Sequence, residues 1–318
     1  MSRGLNLGLV GQAARRRINC SLIKGLFHMD CTQYPVAPPK IVAIATQQGL
    51  KPTYKFADPD LPGPPLQYGE DFTFGVNGIA PNGENVGSTE AELKPKMRHL
   101  LDYFATDDKS GKARRLFSKF LAKQSQVTFF TDQDLDKAAA AHKNIEYFCV
   151  AALGAPYPWG IPPAPGKTRI HQALYAAKWD VNNLAAPTDL GAPAFNLGDK
   201  KKVFGDATGD WANGLGVMID AVQYVYVVAT HYHYDKDTNI YCIRLKYIGY
   251  DVFGLDNADI DKYGAMEDNS YTKFGEMGVG ITAWWQLQHQ HAYAPLVTRF
   301  VVEKTFEIPA VTFVIPAP

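Results

Sequence analysis

Between Lys94 and Asn183, apolar side chains recur every three or four positions, the spacing that puts them on one face of a helix. "KPKMRHLLDYF" aligns Met97, Leu100, Leu101 and Phe104 behind Pro95 in a first turn, and "SGKARRLFSKFLAKQ" does the same with Leu116, Phe117, Phe120 and Leu121. "TDQDLDKAAAAHKNIEYFCVAAL" predicts one long helix capped by Thr131, with Leu135, Ala138, His142, Ile145 and Cys149 along its inner face. After the proline-broken stretch 154–166, "KTRIHQALYAAKWDVNNL" predicts a further helix with Ile170, Leu174 and Ala177 inward.

Beyond residue 184 the period becomes two. "AVQYVYVVATHYHY" and "IYCIRLKYIGYDV" flank "DKDTN", a length and composition suited to a hairpin, and "PLVTRFVVEKTFEIP" supplies another strand. Phe300, Val302 and Phe306 occupy one side of it, and Arg299, Glu303 and Glu307 the other. Ahead of the helices, residues 34–90 are too rich in proline and glycine for long regular elements. They read as an extended arm with short strands in "KIVAIAT" and "FTFGV". The expected fold is α+β, a C-terminal antiparallel sheet covered by a layer of short helices, with a Pro/Gly-rich extended N-terminal arm. The expected divisions are a tail and arm at 1–90, a helical region at 91–183 and a β region at 184–318, the last two forming one globular body.

Composition narrows the function classes. Lys+Arg 32 against Asp+Glu 32 gives no global field to attract nucleic acid, and no apolar stretch approaches the roughly 20 residues of a membrane-spanning helix. Residues 1–28 lack the small-residue cleavage site of a signal peptide; they read as a frayed arm or as sequence upstream of a start at Met29. Cys20, Cys31, Cys149 and Cys242 are widely separated, so core thiols are expected in place of a zinc knuckle or disulfide framework.

Eight histidines include two His-x-His pairs, His231/His233 and His289/His291. On a strand, such residues lie on one face roughly 6.6 Å apart, close enough to share a divalent metal, with Asp235 and Asp237 as further ligands. Solvated imidazoles at a hairpin tip are the simpler reading; no cofactor is otherwise expected. "YDVFGLDNADIDKYG" carries Asp251, Asp256, Asp259 and Asp261 after a strand, placed for acid/base work or, more simply, for turns and a helix cap at Asp256. Their spacing is not that of a calcium-binding EF-hand loop. Walker loop, nucleophile elbow, zinc-protease and dinucleotide signatures are missing, and Lys200, Lys201 and Lys202 read as a solvated run. "WWQLQHQHAY" at 284–293 concentrates aromatic, amide and imidazole groups. Read as a strand, it sets Gln286 and Gln288 at alternate positions, suited to a polar ligand or to a structural network.

"GDATGDWANGL", "YDVFGLDNADI", "TAWWQLQHQHAYAPLVTR" and "FEIPA", taken in this order over residues 168–310, resemble an uncharacterised proteobacterial domain family of type VI secretion and polymorphic-toxin loci. Asp251, Phe253, Gly254, Leu255, Asp256, Trp284, Gln286, Gln288, His289, Tyr293 and Pro295 carry the likeness, while His231, His233 and His291 stand outside it. The resemblance implies an effector-like protein, made in the bacterial cytoplasm and exported, if at all, by a secretion system without a cleavable signal peptide, with a cognate immunity or secretion-apparatus partner, but it brings no catalytic residues with it. It shifts weight from the four-histidine idea to Asp251 or Asp256 as general base and His289 as acid. Trp284, Trp285, Gln286, Gln288 and Tyr293 are then the expected ligand contacts, the target being an envelope component or a small molecule. The alternative is a non-enzymatic adaptor whose 17 tyrosines, 17 phenylalanines and five tryptophans supply docking anchors.

Overall fold

The computed structural model describes residues 29–47, 54–61, 65–79, 88–164, 166–193, 209–220, 222–264 and 275–311. The expectations for residues 1–28 and for Lys200 to Lys202 fall outside them. In chain order the elements are β1 (Pro35–Thr46), β2 (Tyr54–Phe56), β3 (Leu66–Tyr68), α1 (Glu90–His99), α2 (Leu101–Phe104), α3 (Lys112–Leu121), β4 (Thr128–Thr131), α4 (Gln133–Ala141) and α5 (Lys143–Leu153). They continue with α6 (Ile170–Ala176), β5 (Thr188–Asp189), α7 (Leu215–Met218), β6 (Tyr224–Asp235), β7 (Ile240–Phe253), α8 (Asn257–Tyr263), α9 (Gly275–Gln290) and β8 (Leu296–Pro309).

The fold is α+β. Among the described residues, a six-stranded sheet runs in the order β4-β8-β7-β6-β1-β5. Its centre is the expected antiparallel set β6, β7 and β8, but β4 pairs parallel with β8 and β5 parallel with β1. The arm is therefore part of the sheet: β1 is twelve residues long and pairs antiparallel with β6, with register shifts between Pro35 and Lys40 and between Ile41 and Ala43. "FTFGV" is not a strand.

Alternation along β6 divides two cores. Val225, Val227 and Ala229 join the helix-side core with Phe117, Phe120 and Trp285, whereas Tyr224, Tyr226 and Val228 face a smaller core closed by Leu66, Tyr68 and Phe72. The helix-side core draws on residues from Val42 to Ala310, so arm, helices and sheet share it.

Three local expectations are corrected. The helix predicted from Thr131 is two helices: Asp132 caps α4, accepting from Asp134 N and Leu135 N, and His142 is extended at φ −77° and ψ 124° between α4 and α5. The His142 imidazole caps α5 through Nδ1 and reaches Asp210 with Nε2 at 3.0 Å, a tertiary pairing that no helical period could announce. The second helical stretch stops at Ala176, where Lys178 and Trp179 take positive φ. Cys31 and Cys242 form a disulfide, with Cα atoms 5.7 Å apart across 211 positions, in place of two of the expected thiols; Cys149 is a buried free cysteine, and Cys20 lies outside the described residues. The fold brings this pair together by laying the chain just ahead of β1 against the start of β7. No helix among the described residues is long and apolar enough to cross a membrane.

Candidate functional site

"WWQLQHQHAY" forms the last two turns of α9 and its exit, not a strand. The segment from Ile281 to Gln288 is buried throughout, so neither a two- nor a three-to-four-residue period could show through the sequence. Helical geometry redistributes its side chains. Trp285 and His289, four apart, share one face with ring centroids 4.8 Å apart, while Gln288 turns elsewhere.

Gln288 is completely buried and ties together two segments distant in sequence. Its Oε1 accepts from Leu255 N at 2.9 Å, and its Nε2 donates to Thr73 O at 2.7 Å and Asp71 O at 3.0 Å. The chain at 73–79 is stitched along the end of α9: Gly75 N donates to Gln288 O, Gly78 N to His289 O, and Ala292 N to Gly75 O. Gly78 sits so close that a Cβ there would lie 2.6 Å from the His289 Cβ. Gly254 permits the approach of the other wall, since its Cβ would come 2.2 Å from Asp71 O.

Between these walls is a cleft of about 380 Å³ lined by Glu70, Thr73, Gly78, Ile79, Asp256, Asn257, Trp285 and His289. Asp256 caps α8, its Oδ1 accepting from Asp259 N at 3.0 Å, as its sequence position allowed. His289 Nε2 lies 2.8 Å from Leu255 O. A carbonyl only accepts, so Nε2 carries the hydrogen and Nδ1 keeps the lone pair. Burial lowers the His289 pKa below its ordinary value, opposed by the Leu255 bond and the Asp256 charge, so the ring is neutral at pH 7.

The remaining expected residues lie elsewhere. Asp251 is 6% exposed on β7, outside the cleft lining, with Oδ1 accepting from Val252 N at 3.0 Å. Trp284 stacks on Phe253 at 4.2 Å in the core, and Gln286 is buried. Tyr293 donates to Glu90 Oε2 at 2.6 Å, fastening α1 to the exit of α9. Thus of the expected catalytic and ligand contacts, Asp256, Trp285 and His289 reach the cleft, and Gln288 builds it.

The histidine pairs have separate engagements. His231 Nδ1 lies 3.1 Å from Thr230 Oγ1, His233 stacks on Tyr34 at 3.9 Å, and His291 Nε2 donates to Ser88 O at 2.9 Å. Asp235 is occupied in the hairpin turn by Asp237 N and Thr238. Among the described residues no group of three or more His, Cys, Asp or Glu side chains is placed to hold a metal ion.

The cleft residues Glu70, Thr73, Gly78, Ile79 and Asn257 were not anticipated. Glu70 to Ile79 belong to a loop some 210 positions before His289, and nothing in "GEDFTFGVNGI" marks a partner so remote. No family model, curated protein or solved structure matches the chain.

Proposed function

We propose that the chain is a bacterial effector-like protein whose cleft performs hydrolysis or group transfer on a polar envelope component or small molecule. The observation that carries this reading is His289: a neutral imidazole in a cleft, with its tautomer fixed by Leu255 O and Asp256 nearby to favour the imidazolium that forms on taking a proton. In this reading His289 Nδ1 is the general base, accepting a proton from water or a substrate hydroxyl, and Asp256 is its electrostatic partner. His289 thus takes the base role that the sequence suggested for Asp251 or Asp256, because Asp256 is committed to capping α8 and Asp251 lies outside the cleft. The effector assignment rests on the resemblance of the C-terminal segments. The Cys31–Cys242 disulfide supports action in an oxidising compartment such as the periplasm.

The test is bacterial growth with the chain expressed in the cytoplasm or, behind an added signal peptide, in the periplasm. Growth arrest that His289→Gln abolishes, with the variant still folded, is the expected result; equal toxicity of the variant removes the catalytic role. The second reading, an adaptor, loses most of its aromatic support because only Tyr34, Phe74, Tyr147, Tyr157 and Tyr175 are exposed aromatics among the described residues. What favours it is the apolar lip at Val76 and Ile79, 63% and 69% exposed beside the cleft. Normal growth in both compartments supports that reading.

A further inference from the structure

We infer that His171 is an acid-opened clasp on the exit of β8: protonation of its ring releases Val311 from α6. The clasp lies at the start of β7, the end opposite the cleft, and is independent of the proposed activity. His171 is 1% exposed on α6. Its Nε2 lies 2.9 Å from Val311 O, and its Nδ1 lies 2.8 Å from the Tyr241 hydroxyl. A carbonyl only accepts, so Nε2 carries the hydrogen and the Nδ1 lone pair accepts from the Tyr241 O–H. One imidazole thus joins α6 to β7 and to the chain leaving β8. The residue before Val311 is held differently. Asn239 at the tip of the β6–β7 hairpin accepts from Ala310 N at 2.8 Å through its backbone O and donates to Ala310 O at 3.2 Å through Nδ2. Neither of those bonds involves a group that titrates, so the release stops at Ala310.

A proton can enter the ring only at Nδ1. There it sets an N–H against the Tyr241 O–H, on a tyrosine that is itself fully buried, and the hydroxyl must turn its hydrogen away. Burial lowers the His171 pKa below its ordinary 6.5, opposed by the bond to Val311 O. The clasp is therefore complete above about pH 6.5 and is lost as pH falls through the lowered folded value. Around the ring, Cys149 of α5, Tyr232 of β6 and Tyr241 of β7 have their pKa values raised by burial, which keeps them neutral. Tyr234 of β6 donates to Asn239 Oδ1 at 2.9 Å. Arg169, Tyr175, Lys178 and Asp180 lie on α6 or flank it, and Lys304 of β8 faces Glu146 of α5. Because Tyr232 and Tyr234 pack on the helix-side core, His231 and His233 project from the opposite face of the sheet, as does Glu307 beside Cys242. His171 thus brings to the β8 exit a group whose ordinary range lies between pH 5 and 8. Acidity then sets whether the chain leaves the folded body at Ala310 or only after Val311.

The experiment is an NMR pH titration of the full chain, following the His171 ring protons together with the backbone order of Ala310 and Val311 by heteronuclear NOE. The expected result is that Val311 loses order with the same midpoint as the ring, below pH 6.5, while Ala310 and the sheet keep theirs. His171→Gln, whose amide still donates to Val311 O, is expected to abolish the transition at Val311. Tyr241→Phe removes the donor that favours the neutral ring, and is expected to raise the midpoint by about one pH unit. This second variant carries the test if His171→Gln does not fold. The inference is overturned if Val311 stays ordered while the ring titrates, if its transition survives His171→Gln, or if Tyr241→Phe leaves the midpoint in place or lowers it. Simultaneous loss of order at Val311 and throughout the sheet, which is global unfolding, also overturns it.

Discussion

At the residue scale, His289 and Gln288 are neighbours with different tasks, and their substitutions separate. The His289 side chain has one described hydrogen bond, so His289→Gln leaves stability within about 1 kcal/mol while removing the base. If catalysis uses the neutral ring, the rate falls as pH drops through the lowered His289 pKa, giving an acid limb below 6.5, which a pH–rate profile reads. Gln288→Ala strands Leu255 N, Thr73 O and Asp71 O inside the protein and is expected to lower stability by about 3 kcal/mol in denaturant unfolding. Asp71 acts on stability through pH. Its folded pKa of about 6 lies above the unfolded value, so its favourable term is complete below about pH 4 and is lost as pH rises through 6. Asp71→Asn is therefore expected to gain up to about 3 kcal/mol over the native chain at pH 8, with the difference closing by about pH 4.

At the element scale, the cleft depends on how segments are fastened rather than on their secondary structure. Gly78→Ala places a Cβ against His289 and its carbonyl, so the 73–79 segment must lift from α9. The expected outcome is loss of amide protection at Gly75 and Gly78 in hydrogen exchange, with the sheet amides unaffected. The Cys31–Cys242 disulfide fastens the start of the arm to β7 and removes entropy from the unfolded chain. Cys31→Ser, or a reducing agent, is expected to cost on the order of 2–5 kcal/mol, measured as a lower midpoint of denaturant unfolding. The elements easiest to read in sequence were those with one buried face. The β6–β7 hairpin and β8 alternate clearly and sit where expected, whereas α9, buried on nearly every side, carries no period, and its last turns read in sequence as a strand. The helix pair α4 and α5 reads in sequence as one helix because the break is at His142, which reaches Asp210, and not at a proline or glycine.

At the scale of the molecule, the three divisions suggested by composition are interleaved. β1 from the arm lies between β6 and β5, and β4 from the helical region extends the sheet beside β8. Residues 184–318 expressed alone would expose the edge of β6 and the helix-facing side of the sheet, and are expected to give a collapsed-amide NMR spectrum in place of the dispersed one of the full chain. By itself the sequence determined the α+β class, the central antiparallel strands, the amphipathic helices and the cap at Asp256, because these follow from local periodicity and local hydrogen bonding. Only the tertiary structure decided the cleft. Its walls come from residues 70–79 and 254–257, its floor comes from α9, and the amide that joins them is a glutamine indistinguishable in sequence from its neighbours. Contacts across some 210 positions depend on how the helices and sheet pack around the shared core, and that information is carried by no single stretch of chain.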